Sequence, residues 1–151
     1  MKPIRVFLAA LALSVALFFA WINRLPPFSG KPSMSAVSVA EVSAEMLAVS
    51  VHGTAHYPLR ISQPRPKTLT QPARVWWLFP LLPPDDTSGR SVRVLVASTV
   101  EPDPIVSYED MTVEGWALSG DETVNQELRD AFQAEGYTFE REVVLIERFP
   151  D

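Results

Sequence analysis

Residues Ile4 to Ile22, IRVFLAALALSVALFFAWI, form an apolar run of 19 residues in which Arg5 is the only charge. As a helix rising 1.5 Å per residue it spans about 28 Å, close to the hydrocarbon thickness of a bilayer. Pro3 sits where a first helical turn tolerates proline. Trp21 and Arg24 fall at the far end, where indole rings and cations settle at the membrane interface. Pro26 and Pro27 then stop the helix. A cleaved signal peptide would have a shorter apolar core and a small residue where Phe18-Phe19-Ala20 places large ones. The run is therefore expected to be a retained transmembrane anchor. Lys2, Arg5 and the terminal amine precede it, and this positive-inside bias predicts a cytoplasmic N-terminus. The chain is then a single-pass protein of the cytoplasmic (inner) membrane, with the rest of it periplasmic or extracellular.

The expected organisation is an anchor over 1–23, a Pro/Gly/Ser-rich linker over 24–36 and an extracytoplasmic β-rich domain over 37–151. Residues 37–46 read as either a short strand or a helical turn. From Val49 to Ile61 the chain alternates, with Val49, Val51, Ala55, Tyr57, Leu59 and Ile61 on one face, and Ser50, His52, Thr54, His56 and Arg60 on the other. This predicts one half-buried strand, with Gly53 at a bulge or close contact. Residues 62–72 read as a proline-rich loop. Val75, Trp77, Phe79 and Leu81 predict a second strand, which Pro80 should confine to an edge. Val92, Val94 and Val96, with Arg93 opposite, predict a third, and Met111, Val113, Gly115 and Ala117 a fourth. Val124, Leu128, Ala131 and Phe132 then take helical spacing over 121–135, with Asp121 and Glu122 at the N-terminus and Gly136 just past the end. Val143 to Ile146 is the last strand. The fold expected is a small mostly-β domain of about five strands, a curved antiparallel sheet or partly open barrel, with one helix between the last two strands.

The absence of cysteine excludes disulfides, Cys-ligated metal sites and a thiol nucleophile. A net charge of −5 argues against nucleic acid as a partner, since that needs a basic face to displace counterions. The charge is uneven: residues 1–84 hold eight Lys or Arg and two acidic residues, and residues 85–151 hold five and sixteen. One sign therefore dominates each part, as on a docking surface or a solvated one.

His52 and His56 are the only histidines. On a strand they share a face about 13 Å apart, too far to chelate one metal ion. Each singly is a candidate haem ligand or proton acceptor, against the plainer reading of a surface histidine. No nucleophile elbow and no phosphate-cradling glycine loop occurs. The acidic pairs sit at turns or a helix start, where capping explains them. The residues therefore predict no enzyme, no metal site and no cofactor. Trp76 and Trp116 are expected on the faces opposite the core, and exposed tryptophans mark interface centres. With Arg65 and Lys67 of the basic loop they are the partner-docking candidates.

The Val51-His52-Gly53 strand, Phe79-Pro80-Leu81 before a polar turn, Val92-Arg93-Val94-Leu95-Val96, Pro102-Asp103-Pro104 and Val113-Glu114-Gly115 occur in this order. Together with the helix and strand ending near 146, this pattern resembles the Surfeit-type family of cytochrome c oxidase assembly factors. Where that family carries Arg-Gly-Trp, this chain has Ser98-Thr99-Val100, and no second apolar span follows the last strand. The resemblance implies a β-rich extracytoplasmic domain, a link to haem–copper oxidase biogenesis, and haem as an alternative ligand. Combined with the residue-level reading, it yields an expected role as a non-enzymatic accessory subunit of a larger membrane complex, respiratory or photosynthetic. Its partners would be that complex's subunits and the lipid bilayer. A Surfeit-type assembly factor and a free membrane-tethered ligand-binding domain are the alternatives.

Overall fold

A computed structural model describes residues 32–150. The expected anchor, most of the linker, Trp21 and Arg24 lie outside the described residues, among which no helix is long and apolar enough to cross a membrane. The elements run β1 (Ser35–Ser38), β2 (Ala48–His56), β3 (Ile61–Arg65), β4 (Arg74–Leu82), β5 (Ser91–Ser98), β6 (Tyr108–Ser119), α1 (Gln126–Ala134) and β7 (Thr138–Arg148). The domain is mostly β, with one helix between its last two strands, as the periodicity predicts.

One seven-stranded sheet carries all the strands, in the order β1-β2-β6-β7-β5-β4-β3. A further antiparallel pairing of β2 with β4, Thr54 to Leu82 and Ala55 to Leu81, closes five strands into a ring. Only β5 and β7 within that ring are parallel. β1 lies parallel to β2 and β3 antiparallel to β4, so these two form the edges of the sheet. Closure brings backbone very near Gly53: a Cβ there would stand 2.4 Å from the Leu82 carbonyl oxygen and 2.9 Å from Leu81 Cγ. The glycine marks a close contact, and its pairing with Met111 continues the ladder without a bulge.

Two apolar clusters follow from the alternation along the strands. Val49, Val51, Ala55, Phe79, Leu81, Val94, Val96, Val113, Val144 and Ile146 fill the barrel, joined by Val39 and Val42 from the segment after β1. Trp76, Leu78, Leu95, Ala97, Val143 and Leu145, on the opposite faces of β4, β5 and β7, pack with Leu128 and Phe132 of α1. Strands covered on both sides read as continuous apolar runs, which explains Val94-Leu95-Val96-Ala97 and Val143 to Ile146.

Several expectations change. The alternating stretch from Val49 is not one strand: β2 ends at His56, the chain turns, and β3 starts at Ile61 and runs to Arg65, into residues that read as loop. The period of two survives the turn because Leu59 and Ile61 still face inward, now into the second cluster. Pro80 is not at an edge. β3 pairs with β4 up to Leu78 and β2 from Leu81, so Pro80 occupies the gap between two partners, where a missing N–H breaks no ladder. A register shift between Val92 and Val94 sends Val92 to the helix side and Val94 into the barrel. The helix begins later than its acidic residues suggest, since Asn125 is the cap and its side-chain oxygen accepts from the Leu128 N–H at 2.9 Å. Gly136 ends it with φ +82°. β7 extends well beyond Val143 to Ile146 at both ends.

Candidate partner-docking surface

The outer side of the sheet carries a cleft of about 780 Å³. One wall is the β3–β4 connection, with Arg65, Pro66, Thr68, Gln71, Pro72 and Arg74. The other is the segment after β6, with Ser119, Asp121, Glu122 and Thr123. Trp76, Leu118 and Leu145 supply apolar floor, and Glu147 adds a carboxylate. Arg65 and Arg74 thus line the same cleft as Asp121, Glu122 and Glu147.

Trp76 does not stand exposed, as its predicted face implies. It is 9 % exposed: it belongs to the apolar cluster on the outer side of β4, and the Arg65 guanidinium lies 4.9 Å over its ring. Trp77 is half-buried rather than enclosed in the core. Trp116, at 41 % exposure, does present its ring to solvent. It meets Phe149 edge to face at 5.2 Å, and Phe149 is held there by its N–H donating to the Glu114 carbonyl at 2.9 Å. Leu118, two residues along β6 on the same face, is 42 % exposed and lines the cleft. Trp116, Leu118 and the Trp76 floor therefore form one continuous surface. Sequence reasoning missed Leu118, although it shares the period-two face of Trp116, and it missed Arg74 and Glu147. Lys67 is exposed on the loop above the cleft.

The histidines part company. His52 stays at the surface, with Nδ1 and the Thr112 hydroxyl 3.2 Å apart. His56, read as a surface residue, is fully buried. Its Nε2 lies 2.6 Å from the Asp86 carbonyl oxygen, which can only accept, so Nε2 carries the hydrogen. Nδ1 then accepts from the Tyr137 hydroxyl at 2.9 Å. Burial lowers the pKa of His56, and with both nitrogens engaged the neutral ring has no lone pair left for a ligand. The Tyr108 ring packs against it at 4.8 Å. Asp86 holds the local loop by accepting from the Gly89 and Ser88 N–H groups at 2.7 and 3.1 Å. Asp85 adopts φ 63° and donates its N–H to Asp110, which also accepts from the Thr54 hydroxyl. These hydrogen bonds lower the Asp110 pKa.

Nearby, Tyr57 donates to Glu109 at 2.6 Å, and burial with that bond raises its pKa. The buried Thr54, His56 and Tyr57 side chains are each engaged by a neighbour, as in a structural network. Among the described residues no cluster of three or more His, Cys, Asp or Glu is placed to hold a metal ion.

Comparison with protein-family models, with curated proteins and with solved structures finds no match to this chain.

Proposed function

We propose that this chain is a non-enzymatic accessory subunit of a larger membrane complex, held to the bilayer by residues 4–22 and docked through its barrel domain. The observation that carries the reading is the exposed Trp116–Phe149 pair running through Leu118 into a cleft with rims of opposite charge. Exposed tryptophan beside an apolar groove is the composition of interface centres, and a two-signed rim selects a partner segment carrying both charges. The alternating, engaged polar groups around His56 support a scaffold role over a reactive one.

The association with energy conversion, respiratory or photosynthetic, rests on the resemblance to the Surfeit-type assembly factors. The domain would lie on the periplasmic or extracellular face. The test is mild detergent extraction of the tagged full chain, followed by identification and quantitation of what co-purifies. A fixed stoichiometry with one membrane complex, lost in Trp116→Ser, is the expected result. A chain that leaves the membrane as a monomer with nothing bound at fixed ratio would end the proposal.

A further inference from the structure

Arg65 and Arg74 are the last register pair of the β3–β4 ladder before the connection. Residues directly opposite on antiparallel strands share a face with Cβ atoms about 4.5–5.5 Å apart, so two like charges placed there destabilise the hairpin. Trp76 lies two residues along β4, on that same face. The Arg65 guanidinium rests 4.9 Å over its ring. Nothing close by cancels the two charges. Asp121, Glu122 and Glu147 line the same cleft, yet among the described residues no carboxylate comes within ion-pair distance of either guanidinium. Arg65 Nε is also shielded from solvent without a hydrogen-bond acceptor. Arg93 provides the contrast. Its Nε is unpaired too, but its terminal nitrogens reach the Val42 carbonyl oxygen at 3.2 Å and Glu140 at 3.6 Å. Arg65 has an aromatic ring in that place.

Two guanidinium groups held side by side, one of them against an indole, make a fork for a single oxyanion. A bound oxyanion replaces the repulsion between them by an attraction that both share. The rest of the cleft limits its charge, because Asp121, Glu122 and Glu147 repel a second negative charge there. That selects a carboxylate, singly charged, over a phosphate monoester, which is nearly doubly charged at neutral pH. Trp76 and Leu145 give the cleft apolar surface, and its volume of about 780 Å³ is that of a small-molecule site. We infer that Arg65 and Arg74 form the anion subsite of a ligand cleft, taking the carboxylate of a small molecule whose apolar part lies along Trp76. The subsite is separate from the Trp116–Phe149 contact and does not require the accessory role.

The arginine side chains report on the subsite directly. Full-length protein in detergent, with isotope-labelled arginine, is titrated by NMR at neutral pH with phenylpropionate, with its uncharged amide and with phenyl phosphate. The Nε–H signals of Arg65 and Arg74 are assigned by their loss in Arg65→Lys and Arg74→Lys. Phenylpropionate should move both along one saturating curve, the amide should move neither, and phenyl phosphate should bind more weakly. Arg129, which lies 5.5 Å over the Phe139 ring, is the control and should stay still. Arg74→Gln, at an exposed position, should weaken phenylpropionate binding read at Arg65 by at least roughly tenfold. Arg65→Lys keeps the charge and loses the fork, and should weaken binding read at Arg74 in the same way. Signals at Arg65 and Arg74 that do not move, that follow the amide as closely as the carboxylate, or that move in step with Arg129 overturn the subsite. Tighter binding of phenyl phosphate overturns the choice of carboxylate. A response only to an added membrane complex assigns the pair to a protein partner and overturns the small-molecule ligand. Failure of the chain to co-purify with a complex, while phenylpropionate still moves both signals, removes the accessory role and leaves the subsite standing.

Discussion

The guanidinium of Arg65 lies 4.9 Å over the ring of Trp76, so the last residue of one edge strand roofs the floor of the cleft. Trp76 is also a buried member of the outer apolar cluster, and its loss is a core truncation. Trp76→Ala should cost about 3–5 kcal/mol in urea unfolding. Arg65→Ala, removing only the half-exposed cation, should cost about 0.5–1 kcal/mol. Equal losses in the two variants would mean that the ring is not seated as described.

Trp116 offers the opposite case. Its ring is 41 % exposed and touches Phe149 at the surface. Trp116→Ser should change the unfolding midpoint little, by about 1 kcal/mol or less. It should nevertheless reduce recovery of the partner complex severalfold. A variant that loses stability and keeps its partner would reverse the assignment of this face.

Gly136 follows α1 with φ +82°, and a Cβ built there meets nothing within 4 Å. The cost of a side chain is thus conformational alone. Gly136→Ala should lower stability by about 1 kcal/mol. Gly53→Ala is different in kind, since its Cβ would stand 2.4 Å from the Leu82 carbonyl oxygen at the seam of the barrel. Its expected cost is at least about 1–3 kcal/mol, with loss of the Thr54–Leu82 and Ala55–Leu81 pairing in amide exchange.

Stability should also depend on pH through His56, whose pKa burial lowers from the ordinary 6.5. The unfolded chain takes up a proton near pH 6.5, and the folded chain does so only at lower pH. The contribution is therefore complete above pH 6.5 and is lost as the pH falls from there toward the folded value. The slope in that window is positive and bounded by the one-proton limit of about 1.4 kcal/mol per pH unit. A further loss follows below the ordinary carboxyl pKa of 3.8, where Asp110, lowered by its bonds to Thr54 and Asp85, begins to protonate only in the unfolded chain. Denaturant midpoints for the wild type and His56→Gln across this range separate the two. An unchanged slope between pH 5 and 6.5 in the variant would exonerate the histidine.

Much of the barrel is legible from alternation, because one face of each strand must meet the interior. β2, β4 and β6 and the helix all announce themselves in this way. The edge strand β3 does not, because its backbone pairing is compatible with the proline at position 64, whose missing N–H an edge tolerates. The burial of Trp76 was not readable either, since alternation says which side a residue takes and nothing about what covers that side. His56 was misplaced for the same reason: it lies on the polar face of β2, yet Tyr137, Tyr108 and Asp86, drawn from 81 residues away or less, enclose it. Trp116 fell where its period placed it, because the outer side of β6 meets no other element there.

β1 is bonded parallel to β2 over Ser35 to Ser38. A pull delivered along that strand would slide it lengthwise against its neighbour, loading all its hydrogen bonds together instead of peeling them one at a time. Four short pairs can in this way resist tension that would unzip a hairpin of the same length. The shortest of the described strands is then a mechanical grip, insulating the closed ring from tension applied to the residues before it.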